Sequence, residues 1–275
     1  MTKQSFAASY KYQVRRMIFK PIITVIASIA TLFLMTGFLN YYADGKFSFE
    51  GFGLFFIDII PCFALFIFGA GCFNEFINAG AANGVSRTTS FISAVASNFT
   101  VSAAAALFTS VVVPIINSIS PDGADMFLME FLYGDRGFYK LYGENAFVVR
   151  IRFFVMITLA AFLCAMVGII LAAAVYKLSR LGSMILAVIL IFIPCIGFPT
   201  ASIYLVNKGI DVNRCMKEFM TAVGKGLGMA YVNGSQAGNC IQGGAVMLLA
   251  AAVLGFFAWL IVRRADAKPA AVRGE

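Results

Sequence analysis

Asn74 to Ser90 reads NEFINAGAANGVSRTTS, and it joins two apolar runs, Phe52–Phe73 (FGLFFIDIIPCFALFIFGAGCF) and Phe91–Ile119 (FISAVASNFTVSAAAALFTSVVVPIINSI). Each run is long enough for a helix to cross ~30 Å of hydrocarbon at ~1.5 Å per residue. A polar, glycine-containing segment between two such runs reads as a connection at a membrane surface, and the fold reading grows outward from it.

The composition agrees. The chain has 275 residues, 61% hydrophobic and only 12% charged, with a mean hydropathy of +0.88, whereas soluble domains carry about 25% charged residues. The apolar blocks are continuous, as in Met184–Phe192 and Ala245–Val262. A membrane-spanning barrel would instead show ~10-residue segments of alternating hydrophobicity. The expectation is therefore an all-α polytopic membrane protein.

Taken in order, residues 1–20 form a basic amphipathic segment in which Phe6, Tyr10, Val14 and Met17 or Ile18 recur at helical spacing while Lys3, Lys11, Arg15, Arg16 and Lys20 fall mostly elsewhere. That pattern predicts a helix in the cytoplasmic interface. No small-residue cleavage site precedes a mature domain, which argues against a cleaved signal peptide. A transmembrane domain over 21–262 follows, with six spans at about 21–39, 52–73, 91–119, 149–176, 183–206 and 241–262. Loops are expected over 40–51, 120–148 and 207–240, a tight basic turn over 177–182 and a basic tail over 263–275. Six spans put both termini on one side. The N-terminal segment, the Asn74–Ser90 stretch, the Lys177 turn and the tail hold twelve Lys/Arg against three acids, Glu75, Asp266 and Glu275; the other loops, with Arg150 and Arg152, hold nine against nine. The positive-inside rule places the first group, and so both termini, in the cytosol of a multi-pass cell-membrane protein.

Several chemistries are excluded or weakened. The chain has no histidine, which removes imidazole-based haem, quinone and zinc sites and every Ser-His or Cys-His nucleophile. The +8 net charge sits beside apolar runs, suiting membrane lipid rather than nucleic acid. No nucleotide-binding loop is present: Gly224–Gly228 (GKGLG) and Gly243–Gly244 lack the phosphate-cradling spacing. No cysteine spacing resembles a metal site. Cys62, Cys72, Cys164 and Cys195 fall in spans as small apolar fillers. Cys215 and Cys240 share an external loop where oxidising conditions would allow a disulfide. Asp58, about a turn and a half into the second span, either lines a pathway or is hydrated near the outer interface.

The segment Asn83-Gly84-Val85-Ser86-Arg87-Thr88-Thr89-Ser90 has a physical logic of its own. Gly80 and Gly84 allow a tight turn or helix end. Ser86 or Thr88 can cap the following helix. Arg87 offers a fixed charge with five donors for a partner's carboxylates or carbonyls. As a plain loop, the same segment would carry Arg87 only as a topology charge.

Asn83-Gly84-Val85-Ser86-Arg87, placed just after the second of six spans, resembles the cytoplasmic coupling segment of type-2 ATP-binding-cassette exporter permeases, particularly Gram-positive forms that read N-G-x-S-R. The layout resembles that family over nearly the whole chain. The resemblance implies a dimerising permease subunit, paired with an identical or homologous copy. A separate ATPase carrying ATP and Mg would act on its cytoplasmic face, so this chain itself holds no cofactor and is not an enzyme. It further implies short re-entrant extracellular helices within Cys215–Gly244, and an acidic residue near the start of the coupling helix, a part open to Glu75. Aromatic, nearly uncharged spans suit an amphipathic peptide, lipid or hydrophobic compound as cargo. A secondary transporter or channel working without ATP is the alternative, and a membrane scaffold a third reading.

Overall fold

The computed structural model describes residues 3–24, 26–27, 30–31, 34, 60–119, 146–178, 182, 221–222, 224–226 and 240–263. Among these residues the chain is helical apart from short turns, and no strand occurs. Its main helices are α1 (Lys3–Met17), α2 (Ile60–Ala82), α3 (Arg87–Ile119), α4 (Ala146–Lys177) and α5 (Cys240–Arg263).

Three stretches are long and apolar enough to cross a membrane: Arg87–Val112, Arg150–Tyr176 and Ile241–Arg263. A fourth is added if Ile60–Gly71 and Glu75–Ala82, whose axes differ by 40°, form one bent span. These match the second, third, fourth and sixth spans expected from sequence. Most of the first expected span and nearly all of the fifth lie outside the described residues, as do Asp58, Cys215 and the tail beyond Arg263. The bend in α2 directly follows Gly69-Ala70-Gly71, where two residues lacking a Cβ weaken the helix.

Two boundaries differ from expectation. The polar segment is not a loop from Asn74: α2 continues through it to Ala82, and α3 begins at Arg87 rather than Phe91. Only residues 83–86 form the connection, because local capping satisfies the helix ends there. Likewise Cys240–Gly244, assigned to the external-loop helices, forms the first turn of α5.

The helices associate through small residues, as expected where apolar burial gives no net drive between helices in lipid. On α2, a Cβ added to Gly69 would come within 2.6 Å of the Ala165 carbonyl oxygen of α4. Gly168 of α4 meets the Phe66 carbonyl and the Ala70 amide in the same way. Backbones therefore touch along this seam. Cys62 and Cys164, both half-buried free thiols, hydrogen-bond across it. Farther along, Phe73 packs edge-on against Tyr176 at 6.5 Å, and Tyr176 reaches Asn78 at 3.3 Å. Contact order rises together on both chains, so α2 and α4 run parallel.

The other pairings follow the same logic. Gly244 and Gly255 of α5 meet Leu159 and Met166 of α4 respectively, so these two helices are also parallel. Phe99 of α3 packs against Phe162 at 5.3 Å, while Phe91 and Val95 lie nearer Met166, so α3 runs opposite to α4. Alternating spans two, three, four and six require this set of directions.

Candidate functional site

The connection between α2 and α3 is built from two interlocking caps. Gly84 adopts φ +68°, the left-handed conformation that favours glycine. The Val85 N–H donates to the Gly80 carbonyl at 2.8 Å and the Gly84 N–H to the Ala81 carbonyl at 3.2 Å. This pair of bonds is a Schellman motif, which satisfies carbonyls left open at the end of α2. Two residues on, Ser86 Oγ accepts from the Thr89 N–H at 3.2 Å and exchanges a hydrogen bond with the Thr89 hydroxyl at 2.7 Å. The Ser90 N–H bonds the Ser86 carbonyl at 2.9 Å, the first full turn of α3. Ser86, not Thr88, is therefore the N-cap.

Other site residues fall around this turn in distinct roles. Asn83 is exposed and its side-chain amide donates back to the Ala79 carbonyl at 2.7 Å. Arg87 and Thr88 are half-buried in the first turn of α3. A cation at that end opposes the helix dipole by about 0.3–1 kcal/mol, so the stability of α3 does not select arginine there. Gly80 has another function from the one its turn propensity suggests. It lies within α2, and an added Cβ would strike the buried Ser90 side chain of α3. It sets the closeness of the two arms of the hairpin.

Glu75 is separated from the turn by two turns of helix and pairs with Arg16 of α1. Both side chains are more than a third exposed, so the pair contributes at most about 1 kcal/mol. Its value is positional: it ties α1 to the part of α2 beyond the bend.

The principal feature that sequence reading missed is the way α1 docks. Gln13, only 1% exposed, donates to the Ser90 carbonyl at 3.4 Å and to Ser9 Oγ at 3.2 Å. Its carbonyl oxygen accepts from Ser97 at 3.3 Å. Ser9 and Ser93 share a hydrogen bond at 2.8 Å, as do Tyr10 and Thr100. The helix thus turns a polar seam toward α3, with buried Met17 beside it, rather than pressing the Phe6–Tyr10–Val14 stripe into lipid. The buried seam wins because the hydroxyls and the Gln13 amide would otherwise be unsatisfied in an apolar setting. The 90, 93, 97, 100 spacing of hydroxyl residues on α3 was the available signal.

On the opposite side, α3, α4 and α5 enclose an open apolar groove of about 360 Å³, lined by Phe91, Val95, Phe162, Met166, Leu248 and Gly255 among others. No group of three or more metal-ligating side chains occurs among the described residues. Comparison with protein-family models, curated proteins and solved structures gives no match.

Proposed function

We propose that this chain is the membrane-spanning permease subunit of an ATP-driven exporter, and that the Asn83–Thr88 turn receives the movement of a separate ATPase. The supporting observation is the doubly capped connection: two long apolar helices leave one short turn whose bonds are closed internally. A push on Arg87 acts on both helices at once, because no slack residue lies between the Schellman motif and the N-cap. The Gln13 and Glu75 contacts pass the same displacement to α1. The proposal includes six spans, a cytosolic turn and termini, and a second permease copy. The apolar groove suits an amphipathic peptide, lipid or hydrophobic compound as cargo.

The test is co-purification from the native host. An ATPase should accompany the wild-type chain and be lost with Arg87→Glu or Gly84→Pro, with the permease still correctly inserted. Retention of both the complex and transport in these variants would overturn the coupling role, as would unaided transport by the purified chain.

A further inference from the structure

The docking of α1 leaves one face unused, and its chemistry is specific. Ser9, Gln13 and Met17 turn toward the bundle; on the opposite side of the helix Ala8, Lys11, Tyr12 and Arg15 are exposed. Helical spacing puts Ala8, Lys11, Tyr12 and Arg15 on one face. Arg16 borders it, with its guanidinium 5.8 Å from the Tyr12 ring centroid and its outer contact to Glu75. Just past the end of α1, Phe19 is 66% exposed and Lys20 is exposed beside it.

The orientation of this face follows from the seam. About one turn of α1, Ser9 to Gln13, meets two turns of α3, Ser90 to Ser97. The helix therefore crosses α3 instead of running along it. It does so within the first turns of a helix whose 33 residues reach about 50 Å, well beyond the ~30 Å hydrocarbon core. A helix crossing there lies at headgroup depth with its basic face turned away from the bundle.

We infer that the outer face of α1, centred on Lys11 and Arg15, is a binding surface for anionic phospholipid headgroups. Two cations one turn apart fit the phosphate and negative headgroup charge of such a lipid, while Tyr12 and the exposed Phe19 occupy the adjoining interfacial layer. A soluble acidic protein would match the cations but not a two-thirds exposed phenylalanine beside them. This inference rests on membrane placement and is independent of the ATPase reading.

The full-length chain in vesicles tests it. Ala8→Trp in a Trp259→Phe background places one fluorophore on the face. Headgroup-proximal spin-labelled phosphatidylglycerol and phosphatidylcholine are then compared as quenchers at equal mole fraction. A basic residue near an anionic surface enriches such lipid on the order of fivefold, so phosphatidylglycerol should quench several-fold more effectively. Lys11→Gln with Arg15→Gln should equalise the two lipids, and ~1 M salt, where the screening length falls to ~3 Å, should do the same. Equal quenching in the unaltered face, or a preference that survives the double substitution, would overturn the inference. Absence of quenching by either lipid would overturn it together with the membrane placement, whereas the Arg87→Glu co-purification experiment would be unaffected.

Discussion

Gly84 and Ser86 are two residues apart and do opposite jobs, one closing α2 and the other opening α3. Replacing Gly84 by alanine keeps the hydrogen bonds but forces a Cβ into a left-handed backbone, at a cost of roughly 1–2 kcal/mol. Ser86→Ala removes the acceptor for the Thr89 amide, costing about 1 kcal/mol. Ser86→Asp should restore most of that loss, and Thr88→Ala should be close to neutral because Thr88 is inside the helix. Denaturant titration of the purified protein in detergent checks the series; equal losses for Ser86→Ala and Thr88→Ala would contradict the cap assignment. The sequence showed that this segment contained a stop and a start. It did not choose between Ser86 and Thr88, because both are good caps and the choice depends on where α2 ends. Gly80 was read as a turn residue for the same reason, whereas its neighbour across the hairpin, Ser90, is what requires the missing side chain.

At the scale of elements, two contacts can be ranked. The α2–α4 seam has backbone against backbone, so Gly168→Ala must push Phe66 away and should lower the thermal unfolding midpoint by several degrees. Gly71→Ala, with nothing within 4 Å of the added atom, should leave it unchanged or raise it slightly. The α1–α3 seam should depend on Gln13 far more than on the Arg16–Glu75 pair. Gln13→Ala leaves the Ser97 hydroxyl and Ser9 without their partner, which costs about 1–3 kcal/mol, while the exposed pair contributes less than about 1 kcal/mol. Limited trypsin cleavage after Lys11 and Arg15 reads this directly: faster in Gln13→Ala, little changed in Glu75→Gln. The reverse order would mean the ion pair holds α1 in place. Amphipathic spacing correctly gave a helix over most of residues 3–20, but not its docking face. Two amphipathic stripes coexist on it, one aromatic and one of Ser9, Gln13 and Met17, and only a partner helix with matching hydroxyls decides between them.

For the whole molecule, the directions of α2, α4 and α5 place Ala82, Lys177 and Arg263 at one end of the bundle, with Ile119 and Ala146 at the other. Trp259 and Arg263, 5.4 Å apart as a cation–π pair, sit at the first end, where an aromatic ring and a cation are favoured at a membrane surface. Reporters fused after residue 84, after residue 178 and after residue 263 should all mark one side of the membrane, and a reporter inserted near residue 130 the opposite side. A split among the first three would contradict the parallel packing. The sequence alone determined that the chain is helical and built from membrane-length apolar segments, because uninterrupted hydrophobicity in ~20-residue blocks leaves the backbone no other way to satisfy its hydrogen bonds in lipid. It also located the polar turn. Tertiary structure decided which glycines face a neighbouring backbone, that Gln13 is buried against serines more than seventy residues away, and that Glu75 meets Arg16. Those outcomes depend on distances between segments far apart in the chain, and helical periodicity carries no information about which faces will meet.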